Sequence, residues 1–309
     1  MQPLFSVLIA NYNNGKYLQD AINSIIEQSY PNWEIIIIDD GSSDSSKEEL
    51  DLFSTNSRIH IYYNEQNKGC GFTKRRCVEL SRGELCGFLD ADDVLLPDAL
   101  ENHVLIHKNH PNISCCFSRY YVCDEHLNIT AESRLLQIPE GTSYFEHRDY
   151  LPEHLVSFKK HCYKQTSGIS PLLHAAVDQD LYFKLEEVSP FFILDKFTYK
   201  YRSTPMQISQ NARAYGALLW NLIVRYETAS RRSFHQDNPA VIALNNKIND
   251  LTLELYSDKC NRKELQQVHK TLDGIRASRS YRIGKRIMSL FWWIHKLKNT
   301  NNYLPNEKN

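Results

Sequence analysis

A charge excess of either sign is missing: Lys and Arg number 36 and Asp and Glu 37 among 309 residues. So neutral a chain carries no global field for nucleic acid, and no nucleic-acid partner is expected. No apolar run is long enough to cross a bilayer as a helix. Met1-Gln2-Pro3-Leu4-Phe5-Ser6 has neither a charged leader nor a long apolar core, which predicts no signal peptide. The eight cysteines include no Cys-x-x-Cys pair, and Cys77, Cys86 and Cys115 stand in apolar contexts, the pattern of reduced, buried thiols in a cytoplasmic protein. A glycine-rich, basic phosphate loop is also missing after the first apolar run, where Asn11-Tyr12-Asn13-Asn14-Gly15-Lys16 is a poor version of one.

What is present is an alternation of strand and helix signals, the pattern of an α/β domain with a mainly parallel twisted sheet flanked by helices. Ser6 to Ala10 reads as a buried strand, and Leu18, Ile22, Ile25 and Ile26 then recur at helical spacing as far as Pro31. Trp33 to Ile38 and Ile59 to Tyr63 are two further strands. A glycine-containing turn, Asn67-Lys68-Gly69-Cys70-Gly71, leads into a helix over Thr73 to Leu80, and Leu85 to Leu89 is a fourth strand. Beyond Pro111 the pattern loosens. Cys115 to Val122 predicts a strand, and the polar, His- and Tyr-rich stretch from Glu140 to Tyr163 reads as a substrate-specific loop region. Asp178 to Glu187 predicts a helix opened by acids, which suit its positive end, and Phe191 to Leu194 and Thr198 to Tyr201 predict short strands. A chain of this length buries one sizeable core and leaves room for a smaller unit. The change to helix-forming sequence near Asn211 divides it into 1–212 and a helical extension, 213–309.

Two of the strands end in clustered acids, Asp39-Asp40 and Asp90-Ala91-Asp92-Asp93. In open α/β sheets ligands bind outside the carboxyl ends of the strands, so both clusters fall at one crevice. Hard cations such as Mg²⁺ or Mn²⁺ take carboxylate oxygens and bridge to a diphosphate, while a strand-end carboxylate accepts hydrogen bonds from a nucleoside. The plainer reading of Asp90, Asp92 and Asp93 is turn formation and the start of a helix near Pro97-Asp98-Ala99-Leu100.

In order along the chain, Val7-Leu8-Ile9-Ala10-Asn11-Tyr12-Asn13, Ile38-Asp39-Asp40-Gly41-Ser42-Ser43-Asp44, Asn67-Lys68-Gly69, Gly83-Glu84, Phe88-Leu89-Asp90-Ala91-Asp92-Asp93 and Val177-Asp178-Gln179-Asp180-Leu181 resemble the family 2 inverting glycosyltransferases with the GT-A fold. These segments cover roughly the first two-thirds of the chain and are specific jointly, each alone being weak. The resemblance implies that Ala10, Tyr12 and Asp40 frame the uracil or other base. It also implies that Lys74 reaches the diphosphate from a position usually held by Arg, and that Asp90-Ala91-Asp92 binds the donor, with Asp90 and Asp92 as ligands of Mn²⁺ or Mg²⁺. Asp93 is a supporting residue. Asp178 aligns with the last acid of the family's catalytic pair and is the expected base, Val177 replacing the first acid; its plainer reading is a helix cap. Asp180 is expected to be structural.

The texture of Lys68 to Lys74 and Ala176 to Tyr182 is similar to chondroitin- or hyaluronan-polymerase enzymes and to capsule and lipopolysaccharide glycosyltransferases. By that similarity His154 and Gly168, in the turn Thr166-Ser167-Gly168, border an acceptor pocket. Thr204 stands where many relatives carry His, which leaves a third metal ligand unassigned. The implied activity is hexosyl or N-acetylhexosaminyl transfer, with inversion, from a UDP-sugar to a glycan or lipid-linked glycan. A nucleotidyltransferase and a non-catalytic, membrane-associated nucleotide-binding module remain open at this point.

The segment 275–298 is basic and amphipathic. Arg276, Arg279, Arg282, Lys285 and Arg286 gather on one side of a helix, and Ile283, Ile287, Met288, Phe291 and Ile294 on the other. That pattern suits an anionic membrane surface, hence a peripheral location at the inner face of the cell membrane, and equally suits a helix docked on its own domain.

Overall fold

Isoleucine-rich runs explain the first layer of the protein. The computed structural model describes residues 2–134, 143–147, 154–203 and 213–233, with Ile242 and Asn246 as single positions. Strand β1 (Phe5–Asn11) is followed by helix α1 (Gly15–Ile26) and by β2 (Trp33–Asp39), which lies parallel to β1 with Val7 opposite Ile35. Every residue of β2 is buried, as a strand covered on both faces requires. Helix α1 buries Leu18, Ala21, Ile22 and Ile25, spaced for one face, beside this sheet. The short helix α2 (Ser46–Asp51), β3 (Ile59–Tyr63), α3 (Cys70–Leu80) and β4 (Leu85–Phe88) complete a parallel array in the order β3-β2-β1-β4.

A buried carboxylate fastens the start of this array. Glu34 accepts hydrogen bonds from the Ser6 hydroxyl (2.6 Å), the Arg82 amide (2.6 Å) and Arg82 Nε (2.8 Å). Burial pushes its pKa up, but those bonds and the Arg82 charge outweigh it and hold the group below the usual carboxylate range. Gly83 must be glycine here, because a Cβ would lie 2.5 Å from Ser6 Oγ and 2.7 Å from the Leu4 carbonyl oxygen.

After β4 come β5 (Val94–Leu95), α4 (Ala99–Asn109), β6 (Cys115–Cys123), β7 (Ile129–Glu132), α5 (Tyr144–His147), β8 (Val156–Lys159), α6 (Lys160–Tyr163), α7 (Val177–Glu186), β9 (Phe191–Arg202) and α8 (Arg213–Arg231). The nine-stranded sheet continues from β4 through β8, β6 and β9 to β5, with β7 paired to β6. Parallel pairing gives way here: β8 is antiparallel to both β4 and β6, β9 is parallel to β6, and β5 is antiparallel to β9.

Two expectations change in this half. The stretch 140–163, read as loop, contributes β8 to the middle of the sheet, with all four of its residues buried. Its Ser157 and Lys159 disguise it, because polar residues enter a core only where partners await them. Ser157 Oγ lies 2.7 Å from His103 Nδ1 and 2.8 Å from His107 Nε2, two α4 histidines one turn apart; His103 Nε2 continues to Ser118 Oγ at 3.1 Å. Burial pushes both histidines down to about 3, so they are neutral near pH 7. The two short strands expected at Phe191 and Thr198 are one strand, β9, whose pairing with β6 shifts register around Arg119 and so interrupts the apolar alternation.

The seven described cysteines are all free thiols, and all but Cys70 are buried, as the sequence predicts. Two compact units divide the chain, 1–224 and 225–309. The basic segment 275–298, nearly all of the second unit, and Thr204 lie outside the described residues. Among the described residues no helix is long and apolar enough to cross a membrane.

Candidate active site

The carboxyl ends of β1, β2 and β4 lie side by side, with Asn11 opposite Asp39 and Leu8 opposite Phe88. The two acidic clusters therefore share one edge. Their members do different work. Asp39 is buried and accepts from Asn11 Nδ2 (2.7 Å), the Ser42 amide (3.0 Å) and Ser42 Oγ (2.6 Å), which closes the turn after β2. Asp40, 3 % exposed, gathers the loop before α3 by accepting from Asn64 Nδ2 (2.6 Å) and the amides of Lys68 (2.8 Å) and Gly69 (2.9 Å). Three of a carboxylate's roughly four acceptor positions are thus filled, leaving one on Oδ2. Gly69 has φ +94°, and a Cβ there would approach the His174 ring at 3.1 Å. Ala10 sits partly buried near the end of β1, and Tyr12 follows it with 48 % of its surface exposed.

Lys74, buried on α3, joins residues that are far apart in the chain. Its Nζ lies 2.8 Å from Asp178 Oδ1 and 3.2 Å from Asp90 Oδ1, and 5.1 Å from the centre of the Phe88 ring. Burial lowers the pKa of the ammonium, but the Asp178 and Asp90 carboxylates raise it by more, so Lys74 stays charged. Burial likewise raises Asp90, and Lys74 and then His154 outweigh it, holding Asp90 below its ordinary value. The Asp90 and Asp178 side chains are each 38 % exposed, so both still face solvent.

The end of β9 braces the acidic cluster. Asp93 is fully buried and accepts from the Tyr199 hydroxyl (2.7 Å) and the Arg202 amide (2.7 Å). Burial and the charges of Asp92 and Asp90 push it well above the carboxylate range, which removes it from the crevice chemistry. Arg202 Nε donates to the Asp92 carbonyl (2.7 Å) and Nη2 to Asp20 (2.7 Å). Tyr199 and Arg202 went unassigned at the sequence level; the only signal was a basic residue closing a predicted strand.

Asp178 is the second residue of α7, entered through Ala176 in the left-handed region (φ 56°). Val177 is buried in the core, so an apolar residue suits the position where relatives place an acid. Asp180 is fully buried, accepting from Lys184 Nζ (2.7 Å) and the Ser170 amide (3.0 Å), a structural role as expected. The same lysine binds the Gly168 carbonyl (2.8 Å), and the Gly168 amide donates to Thr166 Oγ1 (2.9 Å). Gly168 is therefore a buried turn residue at φ +71°, with both its peptide groups hydrogen-bonded within the protein. His154 lies at the site, stacked on Tyr199 and Tyr201 at 5.3 and 5.0 Å and edge-on to Tyr120.

Among the described residues no cluster of three or more His, Cys, Asp or Glu side chains could enclose a metal. Mg²⁺-type ions, however, use one or two carboxylates and complete their octahedron with water and substrate phosphate. Asp90 and Asp92, both partly exposed and the first held ionised, fit that use.

The profile of Glycosyl transferase family 2 matches residues 6–168, more than half of the chain and all of the crevice except α7 and β9. The chain belongs to glycosyl transferase family 2. It is 29 % identical to Escherichia coli chondroitin synthase over 201 residues, 64 % of this chain and 28 % of that protein. TuaG of Bacillus subtilis (strain 168) is 36 % identical over 118 residues, 38 % of this chain and 46 % of TuaG. The chain thus spans less than half the length of either relative. The S. aureus TarS structure with UDP-GlcNAc superposes with a TM-score of 0.61 at 17 % identity, over 88 % of this chain and 81 % of that one. A mannosyltransferase from Pyrobaculum calidifontis, solved with GDP-Man and Mn²⁺, superposes with a TM-score of 0.54 at 13 % identity, over 94 % and 79 %. The family 2 chain has the GT-A fold.

Proposed function

We propose that this chain is an inverting transferase moving a hexosyl or N-acetylhexosaminyl group from a UDP-sugar to a hydroxyl of a surface glycan or lipid-linked glycan. The observation that carries this reading is Lys74, which brings Asp90 of the acidic cluster and Asp178 of α7 to one ammonium. Ala10 and Tyr12 line the base side, with the remaining acceptor position of Asp40 behind them. Asp90 and Asp92 would hold Mn²⁺ or Mg²⁺, which supplies charge neutralisation for a departing diphosphate. The nucleotide-bound TarS and the chondroitin synthase relative support the donor and acceptor classes. Family membership removes the nucleotidyltransferase alternative.

Inverting transfer is one in-line displacement, so a carboxylate must take the acceptor's proton as its oxygen attacks the anomeric carbon. Asp178 suits that role, being partly exposed, sharing the Lys74 ammonium with Asp90 and standing in the first turn of α7. In the free protein Lys74 holds its Oδ1. A diphosphate competes for the same ammonium, so donor binding draws Lys74 toward the leaving group and frees Asp178 to act. Arg202 and Tyr199 position the cluster through Asp92 and Asp93 without touching substrate. Association at the inner face of the membrane through 275–298 belongs to the same reading.

Asp178→Asn is expected to lower turnover about 10³-fold, within the range of general-base catalysis, while calorimetry with UDP and Mn²⁺ still detects binding. Near-normal turnover by that variant overturns the base. Loss of UDP binding in a folded variant moves Asp178 to the donor site, and a wild-type chain that binds UDP but transfers no sugar returns the non-catalytic module.

A further inference from the structure

At the opposite end of β4 from the acidic cluster, a cavity of about 760 Å³ opens between the residues before β1, the start of β4, the end of β8 and helix α4. Its polar lining is mostly basic: Arg82, Lys108, Lys159, Lys160 and Lys164 against two acids, Glu84 and Glu101. Arg82 is engaged by Glu34 at 2.8 Å, whereas none of the four lysines has a carboxylate within ion-pair distance among the described residues. Glu101 is engaged by the Ser29 hydroxyl at 2.8 Å.

Lys159 is the telling member. It is 8 % exposed, and its ammonium donates to the carbonyls of His110 and Pro111, neutral acceptors that leave its charge unbalanced. A buried cation without a counter-charge is costly, and burial accordingly pulls the Lys159 pKa below its ordinary value. Lys160 likewise meets a neutral acceptor, the Ser81 carbonyl. His107, 5 % exposed in the same wall, uses Nε2 for Ser157 and leaves Nδ1 without a hydrogen-bond partner. Leu85, Val104 and Leu105 add apolar surface to the wall, and Leu105 is half exposed.

We propose that this cavity is a second binding site, separate from the donor crevice, for a phosphoryl group carried on a partly apolar ligand. The phosphoryl oxygens receive charge-assisted hydrogen bonds from the lysines, and the apolar body covers Leu105 and Val104. A free phosphate and a lipid headgroup share that chemistry, so two probes distinguish them.

Calorimetry on the full chain tests the site, with UDP saturating to occupy the crevice and with inorganic phosphate and soluble dihexanoyl phosphatidic acid as probes. Wild type is expected to bind the phosphatidic acid more tightly than phosphate, and Lys160→Gln/Lys164→Gln to weaken it about ten-fold or more, as loss of charged hydrogen bonds predicts. The exposed rim residue decides should the double variant unfold: Lys108→Glu is expected to weaken binding without a change in thermal midpoint. Because segment 275–298 is common to all three proteins, equal affinities across them overturn the site. Phosphate binding as tightly as phosphatidic acid overturns the apolar half of the assignment.

Discussion

The two halves of the sheet are built by different means. From β3 to β4 the strands lie parallel and are linked by helices, and β1, β2 and β4 are apolar runs buried along nearly their whole length, so pattern and position agree. From β8 to β5 the strands change direction, and polar side chains stand in the core on a hydrogen-bonded path from His107 through Ser157 and His103 to Ser118. The first half supplies the crevice floor. The second supplies the brace that aims it, Tyr199 and Arg202 on Asp93, along with His154. Sites at strand ends can be read from a strand's own sequence, whereas braces come from elements more than a hundred residues away, as the separation of Arg202 from Asp93 illustrates.

Substitutions test this division, and the largest effect is expected where the halves meet. Lys74→Met removes the cation shared by Asp90 and Asp178; kcat/KM for the donor is expected to fall about 10²- to 10³-fold in steady-state assays, with Lys74→Arg recovering part of the loss. Should Lys74→Met cost nothing, the ammonium does not link the halves. Within the parallel half, Glu34→Ala strips the acceptor from the Ser6 hydroxyl and the Arg82 amide and leaves a void. Urea unfolding is expected to give about 3 kcal/mol of destabilisation. Within the mixed half, Ser157→Ala orphans His103 Nδ1 and His107 Nε2, for about 2 kcal/mol by the same measurement. A smaller loss than for an exposed serine would mean that the two histidines re-pair.

The most selective comparison is with pH. His103 and His107 are held near 3 in the folded protein against an ordinary 6.5, so below pH 6.5 the unfolded chain binds protons that the folded one refuses. Stability is therefore intact above pH 6.5 and falls as the pH drops toward 3, by about 1.4 kcal/mol per pH unit for each histidine once well below 6.5. His103→Gln should remove one histidine's share of that slope in chemical denaturation series between pH 4 and 6.5. An unchanged slope would assign the acid sensitivity to the depressed carboxylates Glu34 and Asp90, which also lose stability as pH falls.

Legibility followed chemistry. Val7 to Ala10, the isoleucines of β2 and the helical spacing of Leu18, Ile22 and Ile25 are local patterns, and they appear where the periodicity puts them. Asp180 could be set aside as structural from its place in the first turn of a helix, and Asp93 as supporting from the family resemblance. Ser157 and Lys159 concealed β8, because polarity excludes a buried strand only when no partner is in view. The Lys184 bond to the Gly168 carbonyl was not legible either, because it joins a turn to a side chain sixteen residues on.

By itself the sequence determined the parallel array, the family and the collection of acids at strand ends, because apolar periodicity and short motifs act over a few residues. Tertiary structure alone decided which of those acids, and which of the pair on α7, stay open to solvent. Asp39, Asp93 and Asp180 are buried and committed to hydrogen bonds, while Asp90 and Asp178 stay partly exposed around one lysine. A carboxylate's charge and availability depend on burial and on its neighbours, and those neighbours arrive from distant parts of the chain.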